Sequence, residues 1–153
     1  MKKPLHIYVD ADACPVKDEV VRVADRHGAA AHFVSNARIR LPVGLDVRRV
    51  VVGDGFDAAD DWIAEAAGEG AVVVTGDIPL AERCLKAGAQ VIGPSGKPFT
   101  ADNIGMDLAM RELSRDLRDM GEISGAGPAF SKKDRSRFLE ALELAVRRAA
   151  GSG

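Results

Sequence analysis

The sequence predicts an α/β fold built on a parallel sheet, and three observations carry that reading. Short apolar runs alternate with helical patterns along the first 93 residues, and glycines stand where those helices should stop. One run, AVVVT at 71–75, is apolar almost throughout, as a strand covered on both faces must be. Hydrophobic residues make up 46% of the 153 but aromatics only 5%, so the core has to be assembled from Val, Leu, Ile and Ala.

Taken in order, the strands are LHIYVD (5–10), AAHFVS (30–35), DVRRVVV (46–52), AVVVT (71–75) and QVIG (90–93). Helical patterns fill 15–27, 57–67 and 79–87, with Gly28, Gly68 and Gly88 in the C-cap places. The segment NARIRLPVGL (36–45) reads as a loop, as does PSGKPFT (94–100). Beyond it, 102–119 has an apolar stripe at Met106, Ala109, Leu113 and Leu117, and a glycine-rich loop leads to a last helix at about 131–149. Ser131 and Asp134 have the spacing of a capping box at its start. With no repeat and no break in composition, a single domain over 1–153 is expected, with a sheet core at about 5–93 and a helical part at about 102–149.

The formal charge of −2 offers no global field for a polyanion, so any nucleic-acid site has to be local. No apolar stretch approaches the roughly 20 residues that span a bilayer. Cys14 and Cys84 have no metal-binding spacing, and Met1-Lys2-Lys3-Pro4 runs straight into the first strand without a secretory signal, so a cytoplasmic address is expected.

In open parallel sheets, ligands sit beyond the C-terminal strand ends, where the strand order reverses. Strand one ends in Asp10, with Asp12 just beyond, and strand four is followed by Asp77 in TGDIPLA. If the chain winds out through strands one, two and three and then returns, strand four lies beside strand one, and Asp10 and Asp77 share a mouth. GFDAADDWI adds Asp57, Asp60 and Asp61 after strand three. Carboxylates about 4 Å apart repel by roughly 4 kcal/mol at an effective dielectric near 20, so converging acids call for a cation. All-oxygen ligands without His or Cys point to Mg²⁺ or Mn²⁺, and such an ion suits phosphodiester hydrolysis. Asp57 serves equally well as the cap of its helix, with Asp60 in the reciprocal position, and Asp12 as the cap of the helix opening at Pro15.

The motifs DADACPV, GFDAADDWI, TGDIPLAERCLKAGA, FTADNIGMDLAMREL and GPAFSKKDRSRFLEAL stand here in order. Through them, residues 5 to about 146 resemble the bacterial YaiI/YqxD family of uncharacterised proteins, which is grouped with PIN-like nuclease domains. The resemblance implies a three-layer, parallel-sheet PIN-like domain with added C-terminal helices. It also implies that Asp10 takes the place of the PIN-like first-strand aspartate and Asp77 that of the later aspartate before a helix. With the converging acids, this predicts a nuclease with Asp10 and Asp77 as catalytic acids, Asp10, Asp12, Asp57, Asp60, Asp61 and Asp77 as candidate metal ligands, and single-stranded RNA as the expected partner. The middle acidic position of PIN-like domains maps onto Asp57, Asp60 or Asp61, and Asp12 belongs to the family's own signature.

Basic residues that would track a phosphate backbone are Arg38, Arg40, Lys132, Lys133 and Arg135, although such charges are more often a solvated face. Cys14 lies near a helix start, but the Arg a thiol phosphatase needs six residues on is Val20, so a packing role is expected. His6, His27 and His32 show no ligand spacing. Two other functions fit the residues: a binding module without turnover, and a haloacid-dehalogenase-type phosphatase with Asp10 as nucleophile, which lacks the Thr or Val expected at the place of Cys14.

Overall fold

A computed structural model describes residues 5–11, 14–53, 55, 58–104 and 131–151. The elements run β1 (His6–Asp10), α1 (Lys17–His27), β2 (Ala30–Ser35), β3 (Val47–Val51), α2 (Ala58–Ala66), β4 (Ala71–Val74), α3 (Ile78–Lys86), β5 (Gln90–Ile92), β6 (Pro98–Phe99) and α4 (Lys132–Gly151). All five expected strands form, each within two residues of its expected ends. The segment 36–45 has no helix or strand. Residues 101–104 are helical, and the remainder of the helix expected at 102–119 lies outside the described residues, as does the glycine-rich loop after it.

The strands order as β3-β2-β1-β4-β5-β6. The first five are parallel and β6 pairs with β5 in the antiparallel sense. The chain does wind outward and return, so β4 lies against β1 with Val9 opposite Val74. That reversal is the switch point.

Side chains alternate along each strand, so one strand feeds two layers. Ile7, Val9, Ala31, Phe33, Val72, Val74 and Ile92 pack against α1 and α4, whereas Tyr8, Val34, Val73 and Val91 pack against α2 and α3. Three layers result, with both sheet faces covered, which is why the central strands carry so little polarity. On the first face, Phe138 and Leu142 of α4 are fully buried, and at roughly 25 cal/mol per Å² such side chains each contribute about 2 kcal/mol on transfer from water. At the helix ends Arg26 and His27 of α1 both engage Glu143 of α4, the arginine at 2.7 Å.

Helix ends agree with the sequence except at two positions. Helix α1 opens at Lys17 rather than Pro15, with Val16 as its N-cap and no side-chain cap bond, so the helix does not start where a cap from Asp12 was expected. Gly28 caps α1 with φ 67°, a conformation that costs glycine nothing. Gly68 is not left-handed; Gly70, two residues later, takes φ 84° and turns the chain into β4. The capping box forms: Ser131 N–H and Oγ–H donate to Asp134 Oδ2, both at 3.0 Å, and Asp134 N–H donates back to Ser131 Oγ at 3.2 Å. Strand β6 falls in the segment expected as loop; it is two residues long and begins with proline, which is confined to edges.

Candidate functional site at the switch point

The C-terminal ends of β1 and β4 open side by side, and one hydroxyl joins them. Thr75 follows β4 directly and is buried; its Oγ1 donates to Asp10 Oδ2 at 3.1 Å and accepts the N–H of Asp77 at 3.0 Å. Asp10 and Asp77 are both half-buried, at the rim rather than in the core. Of the acids expected to meet across the reversal, Asp10 is thus tied to this threonine by its carboxylate and Asp77 by its backbone N–H.

Asp77 is also an N-cap. Its φ of −84° and ψ of 111° are extended, and Oδ1 accepts the Leu80 N–H at 3.0 Å while Pro79 occupies the first turn. Both features are those of a strong helix start. One oxygen of Asp77 is therefore fixed by its own helix, which aims the carboxylate as well as capping α3.

The acids of α2 stand in other company. Asp61 is exposed and pairs with Arg83 of α3 at 2.8 Å, and that hydrogen-bonded partner raises the Arg83 pKa further. Asp60, half-buried in the same turn, adds to the negative field around Arg83 and Cys84. Asp12 and Asp57 lie outside the described residues. Among the described residues, no three carboxylates, histidines or cysteines gather closely enough to hold an ion.

The corner after Asp10 is braced from two sides. Lys17 Nζ donates to the Cys14 carbonyl at 2.7 Å, and Arg135, reaching over from α4, donates to the Pro15 carbonyl at 2.9 Å and to Glu19 Oε1 at 3.0 Å. Arg135 is thus half-buried as a brace, while Lys132 and Lys133 are exposed beside it. Arg38 and Arg40 are exposed on the loop after β2, and Arg40 faces Lys17 and Asp18 across a shallow hollow of about 360 Å³. Cys14 is buried, and burial pushes its thiol above the ordinary range, with Asp10 and Glu19 adding to the rise. Such a thiol is a poor nucleophile at neutral pH, in line with a packing role. Cys84 is fully buried and pushed up to about 11 by that burial.

Two groupings escaped the sequence. Thr75 had a signal, a hydroxyl at a strand end two residues before an acid, but nothing in its spacing showed a bond to a residue 65 positions away. The second lies at the other end of the sheet, where His6 Nδ1 and His32 Nε2 stand 3.0 Å apart. Tyr8 stacks on His32 at 4.6 Å, and Trp62 of α2 closes over both. Only the strand register brings them together.

Comparison with known proteins places this arrangement in a family. Residues 8–148 match the model of an uncharacterised bacterial family, YaiI/YqxD. A UPF0178 protein of Parvibaculum lavamentivorans is 62% identical over 141 residues, covering 92% of each chain. One from Rhodopseudomonas palustris is 56% identical over 145 residues, 95% of this chain and 94% of its own. The UPF0178 protein bll3966 of Bradyrhizobium diazoefficiens is 57% identical over 145 residues, 95% of this chain and 87% of its own. Since the match runs through β1, the switch point and most of α4, the chain belongs to the YaiI/YqxD family.

Proposed function

We propose that this chain is a PIN-like nuclease that hydrolyses phosphodiester bonds in single-stranded RNA with the help of Mg²⁺ or Mn²⁺. The observation that carries the reading is the Asp10–Thr75–Asp77 linkage at the ends of adjacent parallel strands, where the order reverses. One buried hydroxyl holds the Asp10 carboxylate and the backbone N–H of Asp77, and the two carboxylates at these strand ends are an all-oxygen donor set of the kind hard divalent cations prefer. Asp10 and Asp77 would hold the ion, with Asp12, Asp57 and Asp60 or Asp61 as assistants. A bound ion of this class supplies activation of a water and neutralises charge as a phosphodiester reacts.

The chain's own residues supply the preparation. Thr75 donates to Asp10 and so keeps one lone pair of that carboxylate occupied and its plane fixed. The Leu80 N–H does the same for Asp77 at Oδ1. Neither acid needs to reorganise when substrate arrives, which is the economy of a preformed site. The exposed Arg38, Arg40, Lys132 and Lys133 would meet the phosphate backbone, with Arg135 holding the corner between them.

The test is cleavage of a single-stranded RNA by the pure chain with Mg²⁺ or Mn²⁺. Asp10→Asn should lower the rate at least about 10²-fold with its far-ultraviolet circular dichroism unchanged. Salt-dependent RNA binding with no cleavage by the wild type would replace this reading with a binding module. Phosphate release from small monoesters, with a trapped aspartyl-phosphate at Asp10, would replace it with a phosphatase.

A further inference from the structure

We propose that His6 and His32 form a second metal site, for a borderline transition ion such as Ni²⁺ or Cu²⁺, at the end of the sheet opposite the acidic mouth. His6 opens β1 opposite Ala30, and His32 stands opposite Tyr8, so the two histidines are diagonal neighbours on one face.

The bite of the pair is what points to a metal. Two metal–nitrogen bonds of about 2.05 Å ending on atoms 3.0 Å apart enclose an angle of roughly 94°. That is the cis angle of a square-planar or octahedral ion; a tetrahedral one needs nitrogens about 3.4 Å apart. In the hydrogen-bonded pair, rotation of the half-exposed His6 ring, with a small tilt of His32 within its packing, turns both lone pairs onto a common ion. The imidazole that was donating moves its proton to its other ring nitrogen, so a neutral pair binds without net proton release. Water completes the coordination.

The surroundings fit an ion of this kind. His32 is only 7% exposed, stacked on Tyr8 at 4.6 Å with 19° between planes and flanked by the Trp62 ring at 6.4 Å, so packing restrains its plane. His6 is half-exposed and gives solvent its way in. Asp46, just before β3, is the one carboxylate among the described residues whose charge acts on His32, and it is engaged by Arg48 at 2.9 Å, which leaves the two imidazole nitrogens as the donors the described residues offer here. Two imidazoles without a carboxylate select against Mg²⁺ and Mn²⁺. The two sites therefore differ in ligand chemistry and stand or fall separately.

Trp62 is the one tryptophan in the sequence, and its distance from His32 makes it the reporter. Titrating the full chain with NiCl₂ at neutral pH should give saturable, chelator-reversible quenching of its fluorescence, with no quenching by MgCl₂. His6→Gln, at the exposed ring, should weaken Ni²⁺ binding at least tenfold, and His32→Gln should do the same if it folds. Asp10→Asn should bind like the wild type. No saturable quenching up to millimolar Ni²⁺, undiminished affinity in His6→Gln, or loss of binding in Asp10→Asn would overturn the proposal.

Discussion

On the side of the sheet covered by α1 and α4, β1 and β2 contribute Ile7, Val9, Ala31 and Phe33; on the side covered by α2 and α3 the same strands contribute His6, Tyr8, Asp10 and His32. Every titratable side chain of these two central strands thus falls on one face. The period of two makes this possible, since a strand can be scaffold on its odd positions and chemistry on its even ones without compromise between them. On the apolar face of these two strands the one buried hydroxyl, Ser35 at the end of β2, is satisfied by the Ala37 carbonyl, and the remainder can be packed for stability. On the other face burial competes with solvation, and the groups settle that conflict by pairing: His6 with His32, Asp10 with Thr75.

The largest effect is expected where only packing is at stake. Phe138 lies at 0% exposure on the apolar face, and Phe138→Ala should lower the unfolding free energy by about 3 to 5 kcal/mol, read from urea denaturation. A loss under about 1 kcal/mol would mean that the apolar face is not where stability resides.

The polar face should betray itself in acid. Burial, then His6, then Arg48 hold the His32 pKa down to about 4 from 6.5, with Asp46 alone acting against them. Between those values the unfolded chain takes a proton that the folded chain refuses, so this contribution is complete above pH 6.5 and is lost as the pH falls toward 4. The change is at most roughly 3 kcal/mol. Comparing the pH dependence of stability in the wild type and in His32→Gln isolates it; equal slopes between pH 6.5 and 4 would show that the histidine pair carries no such strain.

The contrast between the faces also explains what the sequence revealed. Strands, helices and the position of the reversal were legible because their signals are local: alternation, capping residues, and an acid directly after an apolar run. That Asp10 and Asp77 stand at the ends of adjacent strands followed from a topological rule alone. Thr75 and the histidine pair were not legible, because each depends on the register between strands, and AVVVT or LHIYVD reads the same whichever residues stand opposite. Gly68 was misplaced because GEG offers two glycines and only the backbone decides that Gly70 takes the positive φ.

Thr75 provides the next test. Thr75→Val keeps the shape but removes the bonds to Asp10 and to the Asp77 N–H, so RNA cleavage should fall about 10- to 100-fold. A fall confined to the apparent metal affinity would locate its role in holding the Asp10 carboxylate and the backbone of Asp77. An unchanged rate would detach the linkage from catalysis and remove the main support for the nuclease reading.

The smallest effect joins the two faces. Arg135 rises from α4, on the apolar side, yet its guanidinium bonds Pro15 and Glu19 at the corner after Asp10, and Glu19 Oε2 is buried with no hydrogen-bond partner among the described residues. Arg135→Ala strands that carboxylate and should cost about 1 kcal/mol of stability, whereas Lys133→Ala, on an exposed side chain, should stay within about 0.5 kcal/mol. RNA binding should divide the other way. Lys133→Ala should reduce the dependence of log affinity on log salt by about 1, the signature of one phosphate contact, while Arg135→Ala should leave that slope alone. If Arg135→Ala instead lowers the slope and leaves stability untouched, its guanidinium faces the nucleic acid, and the corner bearing Asp10 is held by Lys17 without help from α4.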